Sequence, residues 1–299
     1  MTKMRKDALL IYNLTAGKND ASRMLNTMIR TLSEEGLRVV CYPILPGKGA
    51  EEIIAAERGR FDVVVCCGGD GTLNHTVNAL MALPKEERPL LGYVPAGSTN
   101  DFALSMDISR NVKKNCRRIA TAEPLYYDVG RFNDRYFTYI AAFGAYTEVS
   151  YSTDQDLKNM LGHSAYIFEA LRHSPFSSIY RMKAEAGGRT FEGEYLFCSV
   201  SDSTSVGGMR VPMFQTASSN DGRFEVTMIK RPPSIMEYQD LIQGLLIEGY
   251  KSPYLDFFTA DSITFEFEDE TPWTLDGEFG GKVRKASIEV IPSAIGLLR

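Results

Sequence analysis

The chain has no apolar run of the roughly 18–20 residues that a membrane-spanning helix needs. Its basic start, Met1–Asp7, precedes an apolar stretch, Ala8–Ile11, that is too short for the core of a signal peptide. The five cysteines form an odd number and include no Cys-x-x-Cys pair, which predicts buried thiols rather than a disulfide framework or a zinc site. We therefore expect a cytoplasmic protein.

Basic residues are not in excess, because 33 Lys and Arg stand against 38 Asp and Glu. A net charge of −5 argues against nucleic acid as a partner, since nucleic-acid binders usually carry a basic surface. It also requires any contact with an anionic membrane to be local. The sequence contains no Walker-type Gly-x4-Gly-Lys-Ser/Thr motif, which excludes the commonest phosphate loop.

The first third of the chain alternates strand-like and helix-like segments. The predicted strands are Ala8–Asn13, Leu37–Tyr42, Asp62–Cys67 and Leu90–Val94, and the predicted helices are Asp20–Glu35, Ala50–Arg58 and Leu73–Leu83. Such alternation predicts a parallel sheet covered by helices, with ligands beyond the carboxyl ends of the strands.

After about residue 124 the pattern changes to period-two alternation, as in Phe224–Met228 and Ile263–Phe267, which is typical of half-buried antiparallel strands. Helical patterns interrupt it at Asp156–Arg172 and Ser234–Ile247. A chain of 299 residues favours two domains. We place the boundary near Thr121–Pro124, between an α/β domain (1–124) and a β-rich domain (125–286).

The most informative stretch runs from Asp62 to Asn74, where an apolar strand ends in Gly68-Gly69-Asp70-Gly71-Thr72 and a helical pattern follows. Glycines there allow a backbone to approach phosphates closely, and Asp70 places a metal-binding acid beside them. Position 74 is Asn, so the loop is not the dinucleotide fingerprint. The alternative is a tight turn in which glycine only supplies a positive φ.

Two further motifs have the same character. Pro95–Ala103 follows a strand with small and hydroxyl-bearing residues before an acid, although an ordinary helix N-cap would look the same. Near the end of the chain, Asp276-Gly277-Glu278 places two carboxylates around a glycine, which suits a general base and a supporting acid. The alternative for that motif is a hairpin turn with Asp-Gly at its tip.

Together and in this order, Gly68–Asn74, Pro95–Ala103 and Leu275–Glu278 resemble the bacterial diacylglycerol-kinase-like lipid kinases, with sphingosine and ceramide kinases as more distant relatives. The resemblance covers nearly the whole chain, from Ile11 onward. It implies an α/β nucleotide-binding domain, a sandwich-like β-rich domain, and a cleft between them. It also implies that a last segment, 287–299, returns to the first domain.

The resemblance also implies roles for individual residues, with ATP and Mg²⁺ as the cofactors. Glu278 would accept the proton of the lipid hydroxyl, supported by Asp276, and Asp70 and Asp101 would join a magnesium–water network. A second, structural magnesium would be held by the Asp221 carboxylate and the carbonyls of Ser218 and Arg223, an oxygen-only set that suits this ion. The nucleotide site would comprise Asn13, Thr15, Ala16, Gly17, Gly68, Gly69, Asp70, Gly71, Thr72, Asn74, Gly97, Ser98, Asn100 and Asp101.

Four positions depart from the family pattern. Leu14 replaces a proline, and Ser98 replaces a threonine but keeps the hydroxyl. His75 replaces a glutamate, and we interpret it as a histidine on the helix surface. Tyr146 replaces a small or acidic residue near the implied acceptor site, which could alter the lipid that fits.

A lipid acceptor implies a peripheral membrane contact and an apolar slot. The apolar candidates are Phe143, Tyr146, Tyr151, Tyr166, Ile167 and Phe168, the last three in the stretch Ala165–Leu171. The candidate headgroup contacts are Lys158, Arg172 and Lys183. For each of these residues the alternative is ordinary core packing or surface solvation, and a homodimer is left open.

Two rival functions remain at this stage. A kinase of a soluble substrate, similar to NAD kinases, would share the Gly-Gly-Asp-Gly loop, but Gly97–Asp101 and Asp276–Glu278 favour the lipid branch. A nucleotide-binding regulator without catalysis is the other rival, with His75 and Tyr146 in its favour. The function predicted here is transfer of the γ-phosphoryl group of ATP to diacylglycerol or a related lipid alcohol.

Overall fold

The computed structural model describes residues 6–13, 20–144, 179–202, 205–206, 209–210, 220–246 and 251–299. By its contacts the chain divides into two compact units. The first comprises Met1–Val129 and Pro292–Arg299, and the second comprises Gly130–Ile291. The division therefore lies a few residues beyond Thr121–Pro124, and of the segment 287–299 only the part from Pro292 belongs to the first unit.

The first unit alternates strands and helices. Its strands are β1 (Asp7–Asn13), β2 (Arg38–Ile44), β3 (Val63–Gly68) and β4 (Leu90–Pro95). Its helices are α1 (Asp20–Glu34), α2 (Ala50–Ala56), α3 (Asp70–Met81), α4 (Asp101–Ser105) and α5 (Val112–Thr121). A short 3-10 turn, Lys85–Glu87, precedes β4.

The sheet of the first unit is parallel. β1 pairs with β2 and with β3, and β3 pairs with β4 in register from Val63↔Leu90 to Gly68↔Pro95. The end of the chain adds a further parallel partner to β4 through Leu297 and Leu298. Since β3 and β4 are neighbours and run in the same direction, the loops that follow them emerge at the same edge of the sheet.

Burial explains why these segments are strands. All six residues of β3 are buried, as expected for a central parallel strand covered on both faces. Val63 and Val65 of β3 pack with Leu10 of β1, Met28 of α1 and Ile119 of α5 in one apolar cluster. All five cysteines are free thiols, and burial raises the pKa of Cys66 and Cys67 to about 12, so both stay protonated and serve as apolar packing groups.

The second unit is rich in strands. They are β5 (Leu125–Phe132, which begins in the first unit), β6 (Arg135–Phe137), β7 (Ile140–Gly144), β8 (Tyr180–Ala186), β9 (Arg189–Ser201), β10 (Ser205–Val206), β11 (Met209–Arg210), β12 (Phe224–Lys230), β13 (Leu255–Ala260), β14 (Ser262–Leu275) and β15 (Glu278–Leu298). One helix, α6 (Ile235–Leu246), is described there.

Within the second unit the strand order is β13-β12-β9-β7-β14-β15, and these pairs are antiparallel. β8 pairs with β9 and β14 as well, so β7 and β8 occupy successive parts of one position in the sheet. One face carries an aromatic core in which Trp273 packs against Phe132, Phe143, Phe265 and Phe267. The predicted period-two alternation of Ile263 to Phe267 corresponds to this face.

The opposite face of β12 carries a buried acid, Glu225, which is 3% exposed. Within the described residues its Oε2 atom has no hydrogen-bond partner. Burial, followed by the nearby negative charge of Asp221, raises the pKa of Glu225 to about 7. An unfolded glutamate titrates near ~4.3, so the folded state binds the proton more tightly. Glu225 therefore stabilises the fold most below about pH 4, and this contribution is lost as the pH rises through about 7.

We predict that Glu225→Gln becomes more stable relative to the unsubstituted chain as the pH rises. The difference in free energy of unfolding should grow by about 2–3 kcal/mol between pH 5 and pH 8. Urea titrations in EDTA would measure it without a bound divalent ion. Glu270→Gln, at an exposed position on β14, is the matched control. Equal pH dependence in Glu225→Gln and the unsubstituted chain would contradict the prediction.

Candidate active site

The helix after the glycine-rich turn begins earlier than the sequence predicts. α3 starts at Asp70 rather than Leu73, with Gly69 as its N-cap in an extended conformation (φ −87°, ψ −175°). Asp70, Gly71 and Thr72 therefore form the first helical turn and are not loop residues, which corrects our prediction. The physical reason is that an acid in the first turn is favoured by the helix dipole, so Asp70 starts the helix instead of delaying it.

The Asp70 carboxylate connects this helix to the loop after β4. Its Oδ2 accepts hydrogen bonds from the Thr99 hydroxyl and the Asp101 backbone N–H, both at 3.2 Å. Its Oδ1 accepts from the Phe102 backbone N–H at 3.4 Å. The two motifs that the sequence separates by about 30 positions thus meet at one side chain, and Asp70 orients the first turn of α4.

The glycines allow this approach. A Cβ atom on Gly97 would lie 2.6 Å from the Cα of Gly69, and one on Gly69 would lie 3.3 Å from the Cα of Gly97. Gly68 is restricted in the same way, because a Cβ there would lie 2.5 Å from the Cβ of Thr72. The two backbones can touch only because neither position carries a side chain.

Asn100 holds the second loop in shape. It adopts the left-handed conformation (φ 56°), which asparagine tolerates better than most residues. Its Oδ1 accepts from the Gly97 N–H at 2.9 Å, and its Nδ2 donates to the Gly97 carbonyl at 2.8 Å. The alternative of an ordinary side-chain N-cap does not apply, since Asn100 at the N-cap position makes no capping bond to the helix.

A buried tyrosine on β4 joins both loops. The Tyr93 hydroxyl lies 3.1 Å from the Gly68 carbonyl and 3.3 Å from Oδ1 of Asn100, and it can donate to either. Gly68 also accepts from the Ala96 N–H at 2.8 Å, which ties the end of β3 to the start of the second loop. The end of β3, the end of β4 and the second loop therefore form one hydrogen-bonded unit.

The site is electrostatically unusual because its acid is buried. Asp70 is 9% exposed, and burial raises its pKa even though the hydrogen bonds from Asp101, Phe102 and Thr99 act in the opposite direction. Burial and the charge of Asp70 also raise the pKa of Tyr93 well above its usual range. Asp101 is buried as well. A region with two acids in a partly dry environment favours a cation or its hydrated form as a ligand.

The other predicted nucleotide-site residues are distributed as follows. Asn13, at the end of β1, donates from Nδ2 to the Thr72 hydroxyl at 3.0 Å, so the end of a third strand joins the group. Asn74 is buried and bonds Asn78 within α3. Ser98 is exposed at the tip of the second loop. Thr15, Ala16 and Gly17, together with Leu14, lie outside the described residues.

His75 lies on the exposed side of α3, where the sequence predicts it. Its Nδ1 is 2.6 Å from Oε1 of Glu51 in α2. The pair links two neighbouring helices at the surface, and it makes no bond to the two glycine loops.

The third motif forms a hairpin turn in the second unit. Asp276 and Gly277 both have positive φ values, 51° and 83°, as a two-residue type I′ turn between β14 and β15 requires. The Asp276 carboxylate is buried and accepts from the Thr138 N–H and hydroxyl at 2.7 and 2.8 Å, and from the Tyr139 and Ile140 N–H groups at 2.9 and 3.1 Å.

These bonds hold the turn against the segment Thr138–Ile140, which leads into β7, and β7 is the neighbour of β14 in the sheet. Glu278, which follows the turn, is exposed. The hairpin alternative and the functional one are therefore compatible. The buried acid fixes the turn, and the exposed acid remains available to a substrate.

The structure tests the candidate lipid contacts at two positions. Phe143 is fully buried in the aromatic core of the second unit, so the prediction that it lines a lipid slot is wrong and the core-packing alternative holds. Lys183 is exposed on β8 but forms an ion pair with Glu185 at 2.6 Å. The remaining candidates, Tyr146, Tyr151, Lys158, Tyr166, Ile167, Phe168 and Arg172, lie outside the described residues.

The loop implied to bind a structural magnesium is described only in part. Oδ1 of Asp221 accepts from the Arg223 N–H at 3.0 Å, while Ser218 lies outside the described residues. In the part of the chain that the structure describes, no group of three or more His, Cys, Asp or Glu residues is arranged to hold a metal ion. A metal at either predicted site would therefore depend on carbonyl, phosphate or water oxygens.

Sequence reasoning missed three residues that shape these motifs: Thr99, Tyr93 and Thr138. Thr99 lies inside the quoted loop, and its hydroxyl could have been included with that of Ser98. Tyr93 and Thr138 lie on neighbouring elements, and no local signal in the sequence connects them to the motifs.

A family model described as the diacylglycerol kinase catalytic domain matches residues 7–132. A diacylglycerol kinase of Staphylococcus aureus (strain MRSA252) is 31% identical over 285 residues, which is 94% of this chain and 88% of that protein.

Two solved structures are similar in fold. The crystal structure of a diacylglycerol kinase from Bacillus anthracis str. Sterne has a TM-score of 0.77 at 23% identity and covers 99% of this chain and 98% of its own. An NAD kinase from Archaeoglobus fulgidus in complex with ATP has a TM-score of 0.50 at 13% identity, covering 98% of this chain and 93% of its own. At these identities both structures bear on the fold alone. The match to the family model and the identity to the Staphylococcus protein show that this chain belongs to the diacylglycerol kinase family of lipid kinases.

Proposed function

We propose that this protein transfers the γ-phosphoryl group of ATP to the hydroxyl group of diacylglycerol or a related lipid alcohol. The observation that carries the proposal is the junction of the two glycine loops at Asp70. It provides a backbone surface for phosphates with a buried acid beside it. Phosphoryl transfer depends on positioning and charge neutralisation more than on covalent help from the enzyme, and this junction suits both needs.

The triphosphate is proposed to lie against Gly69 and Gly97, where the absence of side chains leaves the backbone accessible. The amide groups of the first turn of α3 point out of the helix start, and Gly69 contributes no side chain to cap them. A helix start of this kind favours anions through its amides and its dipole. Asn13, Thr72 and Ser98 add polar groups at the rim.

Magnesium fits the chemistry of the residues present. Asp70 and Asp101 are buried acids in the same hydrogen-bonded group, and Mg²⁺ is commonly held by one or two carboxylates together with substrate phosphates and water. When bound, the ion would neutralise phosphate charge. The Asp70 oxygens already accept N–H and O–H donors, so we propose that Asp70 orients water around the ion. A second magnesium in the loop of Ser218, Asp221 and Arg223 is proposed from the family resemblance.

Glu278 is proposed as the group that accepts the proton of the lipid hydroxyl. Its carboxylate is exposed and follows directly after a turn that four hydrogen bonds to Asp276 hold in place. A general base needs a fixed position, and the rigid type I′ turn supplies one. The proton of the lipid hydroxyl would pass to Glu278 as the γ-phosphoryl group is transferred from ATP to the hydroxyl oxygen.

Membrane contact remains part of the proposal. In the described residues no helix is long and apolar enough to cross a membrane. We propose a cytoplasmic protein that binds the membrane surface locally, and the pairing of Lys183 with Glu185 makes that lysine a poor candidate for the contact.

The acceptor can be identified with labelled ATP and magnesium in a panel of diacylglycerol, other lipid alcohols and NAD. Label in the organic phase with diacylglycerol would support the proposal. Label in NAD would favour the soluble-substrate kinase, and ATP binding with no transfer would favour a regulator. The NAD arm is included because the fold is shared with an NAD kinase.

We expect Glu278→Gln to lower the rate of phosphoryl transfer by roughly 10²–10⁴-fold, because a positioned base contributes about that much. Binding of ATP should be unchanged, as measured by calorimetry without lipid. Glu270→Gln, an exposed glutamate on β14, is the control and should retain full activity. A rate within threefold of the unsubstituted enzyme would rule out Glu278 as the base.

Tyr93→Phe should raise the KM for ATP about threefold to tenfold while leaving the KM for lipid unchanged, because the hydroxyl joins the two phosphate loops. Stability should fall by no more than ~1 kcal/mol, since Gly68 O and Asn100 Oδ1 each keep another donor. Tyr195→Phe is the matched control. That side chain is also fully buried, and in the described part of the chain its hydroxyl has no partner. The prediction fails if the two variants have the same KM for ATP.

A further inference from the structure

The two glycine loops contain acids but no bases. Gly68–Asn74 and Pro95–Asp101 include Asp70 and Asp101 and no lysine, arginine or histidine. A nucleoside triphosphate carries about four negative charges, and two buried carboxylates beside it would repel it. A site of this composition requires a cation in addition to any metal ion, because phosphoryl-transfer sites neutralise phosphate charge with both metal ions and basic side chains.

Arg110 is the basic side chain that the structure places against the second loop. Its Nη2 donates to the carbonyl oxygen of Thr99 at 3.1 Å, and the hydroxyl of the same Thr99 donates to Asp70. One residue therefore connects the guanidinium to the buried acid. The bond to Thr99 uses a single donor of the five that a guanidinium carries, so most of its hydrogen-bonding capacity remains available.

Within the described ranges, the charge of Arg110 is also not neutralised by an acid. Some other arginines of the first unit pair with acids, as Arg58 does with Glu87 and Arg117 with Glu35. Among the described residues, the hydrogen-bond partner of Arg110 is a carbonyl oxygen, and no carboxylate lies within ion-pair distance. It is an exposed residue, so a ligand can reach it. A guanidinium fixed by one bond and free of a counter-ion is suited to bind a phosphate with its remaining donors.

We infer that Arg110 is a cationic contact for the phosphates of the nucleotide at the two glycine loops, an inference that rests on the proposed function. Its role is electrostatic and depends on the number of phosphates. A residue that only supported the loop through the Thr99 carbonyl would influence all nucleotides equally. A residue that binds phosphate would discriminate between ATP, ADP and AMP.

The test is calorimetric binding of ATP, ADP and AMP to the full chain with magnesium and without lipid. Arg110→Gln keeps an amide donor for Thr99 but removes the charge, and we expect about tenfold weaker binding of ATP, a smaller loss for ADP and almost none for AMP. Arg110→Lys keeps the charge and should stay within about threefold of the unsubstituted protein. Arg118→Gln, at an exposed position on α5, is the matched control and should not change any of the three.

Unchanged ATP binding in Arg110→Gln would overturn the inference, and so would an equal loss for all three nucleotides or a failure of the unsubstituted chain to bind ATP. Thermal unfolding of each variant confirms that the fold is retained. A failure of the proposed function can be distinguished from a failure of the inference about Arg110. If the predicted order of losses is found but no lipid is phosphorylated in the acceptor panel, the lipid kinase proposal fails while the assignment of Arg110 stands.

Discussion

The candidate site depends on one interaction, the acceptance of three hydrogen bonds by the buried Asp70 carboxylate. Burying an acid in this position is unfavourable, as its raised pKa shows, and the donors of the second loop offset part of that cost. The parallel pairing of β3 with β4 delivers those donors to the same edge of the sheet. The close contact of Gly69 with Gly97 depends on glycine most strictly at position 97, where a Cβ atom would lie 2.6 Å from the Cα of Gly69.

The second unit uses the same physical arrangement at the Asp276 turn. There too a buried carboxylate accepts several donors from a neighbouring segment, Thr138–Ile140, and an exposed polar residue stands next to it. In both places an acid that the sequence marks as functional, Asp70 or Asp276, organises the backbone. The groups left open to a ligand are its neighbours: Glu278 in one unit, and the first-turn amides of α3 and Arg110 in the other.

The bounds of helices and strands were predicted well where the periodicity of apolar residues was clear, as for β3 and α1. They were predicted less well where a single side chain, rather than the apolar pattern, decides where an element begins. Gly68–Thr72 has the composition of a turn, yet the acid at position 70 starts a helix three residues early. Helix α5 was not predicted, although Val112, Cys116 and Ile119 follow the helical spacing i, i+4, i+7 and pack into the core of the first unit. The roles of Tyr93 and Thr138 depend on contacts between distant segments, which periodicity cannot reveal.

Phe143 and Lys183 show why a lipid-binding surface could not be predicted from residue type. Phe143 alternates onto the core face of β7, where aromatic partners enclose it. Lys183 lies in a row of alternating charge across four strands, Glu192, Lys183, Glu266 and Lys285, in which each cation faces an acid. Opposite charges directly across neighbouring strands favour one register, and a shift by one residue would break the whole row. The charged side chains on this face therefore help to fix the register of the strands. Because their charges balance, the face has little attraction for an anionic membrane.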